Sequence, residues 1–216
     1  MAVALWYCPP ANSPCYDTVN SLILSLQTLF PDAVLFEPHV TITSQLRCDS
    51  ADDAAAVLAA ACAALRACRP QLDARGSPVV RFDAVAVGRR YFDKVHLACA
   101  HDRFLYGVAQ VIRELFVQDP PDPAAAADWV HSSFRPHLSL VYSDLYHVDQ
   151  ALLRVLRQRI GDALGAALLP HPPAPGLQAL WALQPPLDGW SIPGSFKVVR
   201  CEGPVRDWHV LAAADL

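Results

Sequence analysis

Charge is scarce in this 216-residue chain, at 18% of residues, and it carries no basic surplus. Seventeen Lys and Arg stand against twenty-one Asp and Glu, a net charge of −4. A protein that follows a long phosphate backbone gains affinity with each phosphate it neutralises. The balance here disfavours long RNA or DNA and leaves small phosphorylated molecules open. No apolar run approaches the ~20 residues needed to span a bilayer, so no transmembrane segment is expected. The apolar opening, Met1 to Cys8, lacks a basic flank and meets Pro9-Pro10 at once, which argues against a secretory signal. The seven cysteines are odd in number and include no Cys-x-x-Cys pair, so zinc-ribbon and thioredoxin-type spacings are missing. Reduced, buried thiols in a cytoplasmic protein are the expectation.

What the chain does have is apolar residues, 53% of the total, which is enough for a sizeable core and the opposite of a disordered composition. Nineteen prolines against nine glycines predict stiff, Pro-punctuated connections. Residues 2–8 read as a strand. Ser13-Pro14 opens a helix with apolar positions from Val19 to Phe30, and 39–44 is a β-branched strand. Ser50 and Asp53 form a capping box for an Ala-rich helix that Pro70 should close. Strands at 79–87 and 92–100 flank Gly88-Arg89-Arg90 as a hairpin. Asp102 caps a third long helix, and one or two helical turns are expected over 124–130. A strand at 137–142 precedes a helix opened by Asp149. Residues 170–176 read as a linker, strands near 177–183 and 195–201 finish the chain, and 184–194 lies between them as a loop. Helices and strands alternate but hairpins intrude, so the fold class is α+β with two lobes.

One internal repeat stands out. Phe36-Glu-Pro-His-Val-Thr-Ile42 and Phe134-Arg-Pro-His-Leu-Ser-Leu140 share Phe-x-Pro-His-x-(Thr/Ser)-apolar, 98 residues apart. Side chains at i and i+2 of a strand share a face. His39 with Thr41, and His137 with Ser139, therefore project together while Val40, Ile42, Leu138 and Leu140 enter the core. If a pseudo-two-fold axis brings the copies together, the cleft holds two imidazoles and two hydroxyls. That set suits in-line displacement at phosphorus. One imidazole acts as base on the entering oxygen, the other as acid on the leaving one, and the hydroxyls donate to the non-bridging oxygens. A zinc site is the competing reading of paired histidines, but Glu37, Asp144 and Asp149 stand at no recognised ligand spacing from them. No metal and no cofactor are expected.

The paired His-x-Thr/Ser strands resemble the two-histidine phosphoesterase superfamily. Ala4-Leu-Trp-Tyr-Cys-Pro-Pro10, Ser25-Leu-Gln-Thr-Leu-Phe-Pro31, residues 36–44 and His137-Leu-Ser-Leu-Val-Tyr-Ser-Asp-Leu145 look like the fungal 2',3'-cyclic-nucleotide 3'-phosphodiesterases, over nearly the whole chain. The resemblance implies one bilobal domain over 1–216, with antiparallel sheets facing a central cleft and helices outside. It implies metal-independent opening of nucleoside 2',3'-cyclic phosphates to 2'-phosphates. It also implies action on ADP-ribose 1'',2''-cyclic phosphate, a by-product of tRNA splicing, and an association with the Golgi. His137 would then activate water and His39 protonate the leaving oxygen. Tyr142 carries a contact to phosphate or ribose by the same resemblance, although alternation sets it opposite Ser139, and a core aromatic is the other reading.

Trp190, in the turn-rich loop Leu187 to Gly194, is either a stacking platform for a base or a plug over the core. Of Trp6 and Tyr7, one faces the core and the other the opposite side. His96 has no partner pattern. The expected partner is a small cyclic-phosphate nucleotide bound by a monomer. Two rival functions remain, an RNA-end or 2',5'-oligonucleotide phosphoesterase and a non-catalytic nucleotide-binding module.

Overall fold

The opening alternation becomes β1 (Val3–Cys8) in the computed structural model, which describes residues 3–216. Residue 2, expected in the same strand, lies outside the described residues. Helix α1 (Pro14–Gln27) starts where the Ser13 hydroxyl accepts from the Tyr16 amide at 3.2 Å, with Pro14 in the first turn. Helix α2 (Ala51–Ala67) has the expected capping box, but Pro70 does not end it. The helix stops at Ala67, and Pro70 sits in the first turn of a further helix, α3 (Arg69–Arg75), where its missing N–H leaves no hydrogen bond unmade. Gly76, at φ 66°, then ends α3 in a conformation that side-chain-bearing residues disfavour. Asp102 accepts from the Phe104 and Leu105 amides at the start of α4 (Arg103–Phe116). The short Ala-rich segment is longer than expected, as α5 (Pro123–Ser132). Helix α6 (Gln150–Leu164) follows, capped by Asp149.

The remaining strands are β2 (Val40–Leu46), β3 (Arg81–Gly88), β4 (Val95–Cys99), β5 (His137–Val141), β6 (Ala167–His171), β7 (Leu177–Asp188), β8 (Ser195–Arg200) and β9 (His209–Asp215). They form one nine-stranded sheet in the order β6-β7-β3-β4-β5-β2-β1-β8-β9, with every neighbouring pair antiparallel. The expected pair of sheets is thus continuous: a five-strand half and a four-strand half meet where Val40 on β2 pairs with Leu138 on β5. Two segments expected as connections are strands. Pro170 lies in β6, which it can because β6 is an edge strand and needs amides on one side only. β7 runs on through Pro185-Pro186 to Asp188, which pairs with Arg81 of β3.

The helices cover one face of this sheet. Leu22 of α1, Val57 of α2, Leu105 of α4 and Leu156 of α6 join Leu5, Tyr7, Ile42, Leu97, Leu138 and Phe196 in one buried core. Alternation sends Ala4, Trp6 and Cys8 to the other face, where they cluster with Val199, Cys201 and Trp208 apart from any helix. The motif side chains emerge on this open face. Among the described residues no helix is long and apolar enough to cross a membrane.

Candidate active site

The join between the two halves of the sheet is where the repeated motifs meet. One step to either side of the Val40–Leu138 pair, antiparallel geometry sets His39 across from Ser139 and Thr41 across from His137. Thr41 on β2 and His137 and Ser139 on β5 therefore share the open face, and His39, one residue before β2 begins, joins them there against Trp6. Val40, Ile42 and Leu138, fully buried beneath them, fix the register, because a one-residue slip would turn these apolar groups to the open side.

The proline of each copy helps orient its histidine. Proline has no N–H and cannot continue a ladder, so the carbonyl two residues before each histidine is left for the ring. His39 Nδ1 lies 2.6 Å from the Glu37 carbonyl and His137 Nδ1 lies 2.9 Å from the Arg135 carbonyl. A carbonyl can only accept, so each Nδ1 donates and each Nε2 is left free to take or give a proton. The Ser139 hydroxyl lies between the Phe92 carbonyl, a long 3.4 Å away, and the Tyr142 phenol.

Of Trp6 and Tyr7, Tyr7 enters the helix-side core and Trp6 takes the open face beside the pair. Trp6 stacks flat on His39, with centroids 3.6 Å apart and planes 10° apart. His96 of β4 lies against His137, centroids 4.7 Å apart. Lys197 of β8 pairs with Glu37 at 2.5 Å beside His39. Burial pushes His39 down to about 4, helped by the His137 and Lys197 charges and opposed by the Glu37 carbonyl. The indole face also opposes it, because a π-face attracts an imidazolium. Burial thus favours the neutral form of His39, and an anion beside the ring would favour the protonated one.

Tyr142 falls on the open side after all. β5 ends at Val141, so strict alternation no longer applies one residue later. Its ring stacks on Phe36 at 4.0 Å and approaches Trp208 at 6.3 Å. Burial raises its phenol pKa, opposed by the adjacent Ser139 hydroxyl. Phe92, in the turn before β4, and Trp208, before β9, stack on each other at 5.8 Å and form an aromatic rim. Neither was singled out from the sequence, since each comes from a turn whose place depends on the whole sheet order.

Trp190 is a different matter, and the stacking role expected for it is corrected. It is 4% exposed and packs on Tyr7 and Phe82, both in the helix-side core. A base on the open face could not reach it. A cavity of about 540 Å³ that Trp190 lines with Pro10, Cys15 and Leu164 includes none of the four motif residues.

The chain matches the family model described as cyclic phosphodiesterase-like protein over residues 1–216. It is 44% identical to a Saccharomyces cerevisiae protein named 2',3'-cyclic-nucleotide 3'-phosphodiesterase, with 100% of each chain covered. A Kluyveromyces lactis protein of the same name is 42% identical, covering 98% of this chain and 97% of the relative. A third, from Yarrowia lipolytica, is 32% identical over the full length of both chains. With its paired histidines on one open face of an α+β sheet, this chain belongs to the cyclic phosphodiesterase-like family.

Proposed function

We propose that the protein hydrolyses nucleoside 2',3'-cyclic phosphates to nucleoside 2'-phosphates, using His39 and His137 as acid and base. The observation that carries this reading is the pairing of Val40 with Leu138, which sets two imidazoles and two hydroxyls on one face. The names of the relatives point to the same substrate class.

The reaction follows from that arrangement. Water attacks phosphorus as His137 Nε2 takes one of its protons and the new P–O bond forms. The P–O3' bond breaks on the far side, and His39 Nε2 gives its proton to the departing oxygen. Thr41 and Ser139 donate to the non-bridging oxygens, where charge is held through the transition state. The Glu37 carbonyl, the Trp6 face and the substrate's own anion favour the imidazolium that His39 needs at the start. Tyr142 and the Phe92–Trp208 rim bound the space left for ribose and base. ADP-ribose 1'',2''-cyclic phosphate, the tRNA-splicing by-product, presents the same five-membered cyclic diester and is the second substrate of this reading.

Product analysis on 2',3'-cyclic AMP tests it, with an oligonucleotide 2',3'-cyclic end in parallel. The reading predicts adenosine 2'-phosphate, turnover that persists in excess chelator, and slower reaction on the oligonucleotide. A 3'-phosphate product would overturn the regiochemistry, loss of activity to chelator would overturn metal independence, and tight binding without turnover would make this a binding module.

A further inference from the structure

The two copies of the motif have different neighbours on the strands beside them. Trp6 on β1 opposes Thr41, and His96 on β4 opposes Ser139, so Trp6 and His96 occupy equivalent places beside the central strands. On the His39 side that place holds an indole. On the His137 side it holds a third imidazole. His96 Nδ1 faces the Asp93 carbonyl at 3.3 Å, and this leaves its Nε2 unbonded, as in the two motif histidines. The turn that presents this carbonyl depends on Gly88, where any Cβ would collide with Asp93 O.

We propose that His96 is a further catalytic residue, whose Nε2 accepts the second hydrogen of the attacking water while His137 takes the first. The inference rests on the two-histidine reading above. In-line displacement puts the entering oxygen on the side away from His39, where His96, across from Ser139 on the next strand, lies diagonally against the His137 ring. A water bonded to His137 alone can still turn about that bond. A second acceptor fixes which lone pair points at phosphorus. His96 suits the task because it stays neutral at pH 7: burial and the His137 charge push it down to about 4, against the Asp93 charge and carbonyl. The residue across from it on β3 is Ala86, which brings no competing charge. His96 transfers no proton. The P–O bonds formed and broken and the two proton transfers are those already given.

Methanol offers one hydroxyl hydrogen where water offers two, and this provides a readout that packing alone would not move. In methanol–water mixtures the wild-type protein should favour water over methanol as nucleophile, and His96→Leu should lose that preference. The measurement is the ratio of adenosine 2'-phosphate to its methyl ester from 2',3'-cyclic AMP. His96→Leu should also lower kcat about tenfold with KM held within about twofold, the scale of one hydrogen bond. His96→Gln, whose amide oxygen can accept the same bond, should restore most of both. An unchanged product ratio in His96→Leu, or equal damage from Leu and Gln, would overturn the proposal while an inactive His137→Ala variant upholds the underlying reading. A His137→Ala variant that retained full activity would overturn both.

Discussion

His39 and His137 differ in ways that the matching residues around them conceal. Both rings are held at Nδ1 by a carbonyl two residues upstream, yet His39 is 4% exposed beneath Trp6 while His137 is half-buried beside His96. The repeat is also uneven at its first position. Phe36 stacks on Tyr142 at the open face, whereas Phe134 is buried against Trp129 and Tyr106. The hydroxyls carry a prediction of their own. Ser139→Ala and Thr41→Val should each lower kcat by ~10²–10³, as loss of a donor to a charged transition-state oxygen does, with little change in KM. Steady-state kinetics on 2',3'-cyclic AMP checks this, and a KM effect alone would assign these groups to ground-state binding. The four motif residues were legible because repetition is visible in one dimension. Alternation left Trp6 or Tyr7 for the cleft, but His96 was not legible, since its place beside the motifs depends on which strand neighbours β5.

Among the elements, those with local chemistry at their ends matched expectation best. Ser13, Ser50, Asp102 and Asp149 each cap the helix that their sequence context predicts. Pro70 misled because a proline after an apolar run reads as a stop, and the chain used it as a start. β9 was missed since it is an edge strand, paired to β8 alone, and Leu211-Ala-Ala-Ala214 shows little of the β-branched alternation that buried strands need. β6 was missed for the same reason, with Pro170 added. Asp102 makes the sharpest test at this scale. Its buried carboxylate accepts from two amides of α4 and pairs with Arg75 at the end of α3. Asp102→Ala should cost roughly 2 kcal/mol in urea unfolding, a lost cap and a lost charge partner together. Asp53→Ala, at an exposed cap, should cost less. Equal losses would mean that Asp102 contributes only its cap.

At the scale of the whole molecule, the fold buries two imidazoles on the open face, and pH should report the cost. Burial holds both His39 and His96 down to about 4, below the ordinary histidine value near 6.5. Between those values the unfolded chain binds protons that the folded one does not, so stability must fall as pH falls. Each pH unit within that window costs about 1.4 kcal/mol per histidine at most. Urea midpoints should therefore drop from pH 6.5 toward pH 4, and His96→Leu should flatten part of the drop. A midpoint independent of pH across that range would mean that the two rings are solvated in the folded protein.

The central claim, that two imidazoles act as one catalytic unit across the joined halves of the sheet, is tested most directly by kcat/KM for 2',3'-cyclic AMP. The comparison is among the wild-type protein, His39→Ala, His137→Ala and the double variant. Each single substitution should lower the rate by ~10²–10⁴ while thermal unfolding stays close to wild type. The double variant should fall far short of the product of the two losses, because removing either group already breaks the unit. A single variant with wild-type activity, or losses that multiply in full, would contradict the account.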